Sequence, residues 1–211
     1  MVNRAGVHAA LADPLRLAIV DLLAVSDRSP SALCAELDLP SNLLTHHVDV
    51  LVEAGLVDRL ASAGDKRRRY LSLRWEPLDQ LGVALRRLAD DVLFVCSHNA
   101  ARSQLAAALW THLTGDPARS AGTQPAAEVH PGAIAAAARR GLDLGDARPR
   151  ALDPDERAGV VITVCDMAHE ALDIADERWH WSIADPIASG DDDAFDRALA
   201  ELEQRITRLL V

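Results

Sequence analysis

Apolar positions along this chain follow two rhythms. In the first part the spacing is helical. "DPLRLAIVDLLA" sets Leu15, Ile19, Leu22 and Leu23 on one stripe, with Asp13 placed to cap the helix start. "SPSALCAEL" predicts a second helix, with Ser29 as cap and Pro30 at the first helical position. "PSNLLTHHVDVLVEAGLV" predicts a third, capped by Ser41 and ended by Gly55, with Leu44, Val48, Leu51 and Val52 inward. The last two helices are joined by the tight segment Asp38-Leu39-Pro40-Ser41, a helix-turn-helix pattern. The period then drops to that of strands. "LVDRLASAGDKRRRYLSL" predicts two strands around a turn at Ala63-Gly64-Asp65, the second opening with four cations.

A helix-turn-helix followed by a basic hairpin predicts a mainly α winged helix over residues 1–90. Its last helix would enter the major groove of double-stranded DNA and its wing would grip phosphate. With the apolar stripe facing inward, Asn42, Thr45 and His46 face out as candidate DNA contacts. Lys66, Arg67, Arg68 and Arg69 would add sequence-independent, salt-sensitive affinity. The plainer alternative is a helical domain with a solvated, charged hairpin.

The helical rhythm gives way near Ala89–Asp91 to "VLFVCSHNAARSQLAAALW". Val92–Val95 reads as a buried strand and Ser103–Trp110 as the start of a helix, so residues 91–211 form the second predicted domain. Between them, Ser97, His98, Asn99, Ala100, Ala101 and Arg102 form a loop at a helix N-terminus. Backbone N–H groups and the helix dipole there attract a tetrahedral, phosphate-like oxyanion. Arg102 adds a guanidinium fork for two of its oxygens. The same field would arm Cys96 as a thiolate nucleophile, with Ser103 donating to the sulfur and Asn99 holding the loop. An apolar strand that merely ends in a buried cysteine is the alternative. Asp185, in "IADPIASG", is a candidate acid for the leaving oxygen. Cys165, ending the apolar run "VVITVC", could attack a Cys96 adduct and form a disulfide, or could be a core cysteine.

Composition sharpens this division. The chain has 211 residues and net charge −10, with apolar residues at 49% and aromatic ones at only 3%, so its packing should rest on Leu, Val, Ile and Ala. Residues 1–90 hold 11 basic and 12 acidic side chains, residues 91–211 hold 11 and 20, so the acidity lies in the second part. No stretch approaches the roughly 20 apolar residues of a membrane span, and the first residues do not read as a signal peptide. An odd count of three cysteines predicts reduced thiols in a cytoplasm.

Segment 5–75 resembles the ArsR/SmtB family of metal-responsive repressors, on "ALADPLRLAIVDLLA", "LTHHVDVLVEAGLVDRL" and "RRRYLSL". The resemblance implies a homodimer on a palindromic operator, with Trp75–Leu88 as the dimer helix. Arsenite sensors of that family often use a Cys-x-Cys pair and a third thiol. The matching stretch here reads Cys34-Ala35-Glu36 and leaves one soft ligand, so Cys34 is a weak metal candidate and a small core residue is the better reading.

Residues 91–211 resemble the low-molecular-weight tyrosine phosphatase fold and, within it, the arsenate reductases. The carrying motifs are "VLFVCSHNAARSQLAAAL", "SAGTQPAAEVHPGAI", "VITVCD" and "WSIADP". This implies an α/β domain with a four-stranded parallel sheet flanked by helices, attack of Cys96 on arsenate, clamping by Arg102 and general-acid action by Asp185. The chain departs from the family at His98, often glycine, and at Ala101, often a second cysteine. Leu172 stands where the thioredoxin-linked branch has a third cysteine. No bound cofactor is implied. An external thiol would finish the cycle, with a redox protein as partner: mycothiol with mycoredoxin, glutathione with glutaredoxin, or thioredoxin. The Ala/Arg/Asp-rich composition is that of a GC-rich genome, which makes mycothiol one candidate. Two rival functions remain: a catalytically silent oxyanion or redox sensor, and a protein tyrosine phosphatase. The scarce aromatics weigh against the phosphatase.

Overall fold

The computed structural model describes residues 4–79, 91–172, 178–189, 191 and 193–209. The chain divides into two compact units, Met1–Leu85 and Arg86–Val211.

The first unit begins with α1 (Arg4–Leu11) and α2 (Pro14–Val25). Asp13 caps α2 as predicted, its carboxylate accepting the Leu15 and Arg16 amides at 2.9 and 3.0 Å. Helix α3 (Pro30–Glu36) is capped by the Ser29 hydroxyl, which accepts from the Ala32 amide. Helix α4 (Ser41–Glu53) departs from expectation at its start. Pro40 is the cap, because its carbonyl already accepts the Leu43 and Leu44 amides, and Ser41 is the first helical residue. Gly55 ends the helix at φ +74°, where a side chain would be strained.

Of the predicted inward stripes, Ile19, Leu23, Leu44, Val48 and Leu51 are buried, whereas Leu15, Leu22 and Val52 are half-buried. With Val7, Leu33, Leu56 and Leu71 the buried ones form one apolar core. Strands β1 (Val57–Ala61) and β2 (Arg69–Leu73) pair antiparallel, Val57 opposite Leu73 and Ala61 opposite Arg69. Arg28 extends this ribbon by a two-way backbone bridge to Leu71. The cations lie differently from the expectation: only Arg69 is in β2, and Lys66–Arg68 belong to the turn. The Ser62 hydroxyl accepts the Gly64 and Asp65 amides and lengthens that turn. Helix α5 (Glu76–Asp79) lies at the start of the expected dimer helix; residues 80–88 lie outside the described residues.

The second unit is α/β. Strands β3 (Val92–Cys96), β4 (Arg119–Gly122), β5 (Val160–Thr163) and β6 (Arg178–His180) form a parallel sheet in the order β4-β3-β5-β6. Parallel neighbours require crossovers. These carry α6 (Arg102–Thr114), α7 (Pro131–Arg139) and α8 (Asp166–Ala171), and α9 (Ala194–Leu209) follows the sheet. Helix α6 packs on β3, β4 and α9, while α8 packs on β3 and β5. Central β3 is buried along its whole length, as an apolar strand covered on both faces must be. The few aromatics are concentrated: Phe94 meets both Trp110 and Trp181, with ring centroids 6.2 and 5.9 Å away.

Candidate active site

Strand β3 delivers Cys96 to the carboxyl edge of the sheet, and the chain turns there from strand to helix. The turn is tight at Asn99, which adopts φ +49°. Asparagine tolerates this left-handed backbone better than most residues. Four of the loop's carbonyls are engaged by the segment that follows β4. Those of Cys96, Ser97, His98 and Ala100 accept from Thr123, Gln124, Ala126 and His130 at 2.8–3.1 Å. Gly122 permits that approach, since a Cβ there would lie 2.8 Å from the Ser97 carbonyl oxygen. The Asn99 amide points at the Cys96 sulfur at 3.2 Å.

Helix α6 starts without a side-chain cap, and Arg102 stands in its first turn. A cation there opposes the helix dipole. An uncapped helix N-terminus with a buried guanidinium beside it suits an anion. Arg102 is only 6% exposed. Its guanidinium donates to the Ile183 carbonyl at 3.0 Å and pairs with the Asp185 carboxylate at 3.2 Å. Asp185 is held in turn by the Ile187 amide, which donates to its other oxygen at 3.0 Å.

The polarity of the bonds around the thiol follows from one fixed donor. The Arg150 amide can only donate, and it donates to Asn99 Oδ1 at 2.9 Å. The Asn99 amino group therefore faces Ser103 and donates to its hydroxyl at 2.8 Å. That leaves the Ser103 hydrogen for the Cys96 sulfur, 3.0 Å away. Gln104 adds a further lock, donating to Asn99 Oδ1 and to the Arg148 carbonyl. Two hydrogen bonds thus converge on one sulfur, both from groups that are themselves fixed.

Cys165 follows β5 as the residue capping α8. Its sulfur accepts from the Ser97 amide at 3.2 Å and from the Ala168 amide at 3.3 Å, and it shares a hydrogen bond with the Ser97 hydroxyl at 3.3 Å. Burial pushes its thiol above the ordinary cysteine range, and the nearby Cys96 adds to the rise. Arg102 and the donors from Ser97 and Ala168 oppose it. Behind Cys165, the Asp166 carboxylate meets His180 Nε2 at 3.1 Å. The His180 and His169 rings stack 4.1 Å apart, both against the Thr163 hydroxyl.

The fold therefore brings Cys96, Ser97, Asn99, Ala100, Ala101, Arg102, Ser103, Cys165 and Asp185 to one place. His98 is exposed on the loop. Gln104, Arg150 and the Ser97–Cys165 contact were missed from the sequence. Only the Asn99 position could have prompted a search for such partners.

In the first unit, Asn42, Thr45 and His46 are exposed on α4, and the Thr45 hydroxyl donates to the Ser41 carbonyl. Lys66 and Arg67 are exposed on the wing. Arg69 instead folds back on the Lys66 and Arg68 carbonyls. Cys34 is half-buried against the core. Among the described residues, no group of three or more His, Cys, Asp or Glu side chains is placed to hold a metal ion. No described helix is long and apolar enough to cross a membrane.

A helix-turn-helix domain model matches residues 11–59. An arsenate reductase of Bacillus licheniformis is 31% identical, over 56% of this chain and 92% of that protein. Arsenate reductase 1 of Bacillus cereus is 32% identical, over 56% and 91%. The structure of a tyrosine phosphatase from Erwinia amylovora shares the fold at 19% identity and a TM-score of 0.52, over 58% of this chain and 92% of that one. The model of the low molecular weight phosphotyrosine protein phosphatases matches residues 91–211, and over that span the chain belongs to their family.

Proposed function

We propose that the second unit reduces arsenate to arsenite and that the first unit is an ArsR-type DNA-binding module regulating the response to arsenic. The carrying observation is the Cys96 sulfur, which receives fixed hydrogen bonds beneath an uncapped helix start with a buried arginine. The identity to arsenate reductases over nearly their whole length points that site at arsenate.

The site's own residues suffice for the first turnover. Arsenate takes the Arg102 fork, and Asp185 is released from its pairing. Once released from Arg102, the Asp185 carboxylate takes up the proton that Cys96 gives up, and the thiolate displaces one arsenic-bound hydroxyl, which leaves as water with that proton. Cys165 then attacks the Cys96 sulfur. The sulfur–arsenic bond breaks and its electron pair stays on arsenic, which falls from pentavalent to trivalent. Arsenite leaves with the Cys165 proton, and two thiols have become one disulfide. Leu172 offers no third thiol, so an external thiol system must reopen the disulfide.

On DNA, Asn42, Thr45 and His46 would meet the major groove, while Lys66–Arg69 would meet phosphate. A homodimer on a palindromic operator completes this reading.

The test supplies purified full chain with arsenate and, in turn, thioredoxin, glutaredoxin with glutathione, and mycoredoxin with mycothiol. Arsenate-dependent reductant consumption is expected with one of them and is lost in Cys96→Ser. Full turnover in Cys96→Ser, or aryl phosphate hydrolysis in place of arsenate reduction, would overturn the reading.

A further inference from the structure

We propose that the reduced Cys96–Cys165 pair is a binding site for trivalent arsenic, holding arsenous acid as a dithiolate chelate. The proposal rests on the reductase reading for its biological sense, since arsenite is that reaction's product. The geometry supports it independently. The Ser97 amide is bonded through the chain to Cys96 and donates to the Cys165 sulfur at 3.2 Å. The Ser97 hydroxyl reaches the same sulfur at 3.3 Å. The two thiols therefore flank a single residue, both buried and both free. The chain's third cysteine, Cys34, belongs to the other unit. The site's thiols are thus the pair that one unit holds together.

Charge selects the ligand. Thiolates are soft donors that favour thiophilic centres. A divalent cation would have to enter beside the buried Arg102 guanidinium, and both thiols would have to ionise first. Cys165 lies in surroundings that favour its protonated form. Arsenous acid avoids both obstacles. It is neutral, and each thiol proton leaves with one arsenic-bound hydroxyl as water. Two sulfur–arsenic bonds form, two arsenic–oxygen bonds break, two waters are released, and no oxidation state changes. The chelate blocks the next arsenate, so the product restrains its own formation until it is carried off.

The experiment uses the reduced full chain, freed of reductant under inert gas, with sodium arsenite as probe and neither arsenate nor an electron donor present. Native mass spectrometry should count one arsenic per chain, and a chromogenic disulfide should find two of three thiols protected. Cys34→Ser should bind one arsenic with no titratable thiol left. Cys165→Ser should bind at least tenfold more weakly. Excess glutathione should fail to strip the wild-type adduct whereas dimercaptopropanol should remove it, a chelate signature that needs no variant. Three titratable thiols after arsenite, undiminished binding in Cys165→Ser, or release by glutathione would each overturn the proposal. Arsenite binding without arsenate turnover would strike the reductase reading alone; turnover without arsenite binding would strike this one alone.

Discussion

On α4 and the wing, the candidate contact residues stand exposed and lean on little besides their own backbone. On the Cys96 loop, nearly every candidate is buried and each holds the next. Among the described residues, Thr45 and Arg69 bond to carbonyls a few residues away. Ser103 is fixed by Asn99, Asn99 by Arg150 and Gln104, and Arg150 by its ion pair with Glu156. The contrast follows from the two tasks. Phosphate contact needs reach and charge, and long solvated side chains supply both. Oxyanion chemistry needs donors that are already in place when charge develops. An exposed face should therefore lose function one side chain at a time, while the loop should fail through residues that never touch substrate.

The largest expected effect is at the clamp. Arg102→Lys keeps the charge and loses the fork, and kcat/KM for arsenate should fall about 100-fold or more. A change under threefold would mean that Arg102 serves only its pairing with Asp185. Asn99→Ala comes next: it removes the group that aims the Ser103 hydroxyl, and it leaves an alanine in a left-handed backbone. Turnover should fall about tenfold or more, and stability should fall by roughly 1–3 kcal/mol for the buried bonds lost, read as a lower melting temperature.

Glu156 tests how far the interlocking extends. Hydrogen bonding from Arg150, aided by Arg119, holds its carboxyl below the usual glutamate range. A depressed folded pKa means that the stabilisation is present above the ordinary pKa of 4.5 and is lost as pH falls below it. Glu156→Gln should lower the melting temperature by about 2–4 °C at pH 7. The gap to the wild type should close as the pH falls below 4.5. A gap of equal size in acid would assign the effect to shape rather than charge. The smallest effect is expected on the wing. Lys66→Ala with Arg67→Ala should flatten the salt dependence of operator binding by about two ions and leave arsenate turnover unchanged.

The sequence revealed features whose causes are local. Asp13 and Ser29 cap because the needed oxygen lies within three residues of the amides it serves, and Gly55 stops α4 because its backbone is positive. The strand, loop and helix around Cys96 were legible for the same reason. Ser41 misled because a serine before an apolar run looks like a cap whether or not the preceding proline has taken that place. The wing cations were shifted because turn length depends on Ser62, whose bonds leave no pattern in hydropathy. What stayed hidden was distant pairing: Arg28 with Leu71, Arg150 with Asn99, and Ser97 with Cys165. Each joins segments that only the finished sheet brings together.

One measurement reaches the centre of the account: a single turnover of the reduced full chain with arsenate and no external thiol. The account predicts one arsenite per chain, loss of two thiols, and a Cys96–Cys165 disulfide with Cys34 still free. Arsenite formed only after an external thiol is added, or no arsenite at all, would contradict it.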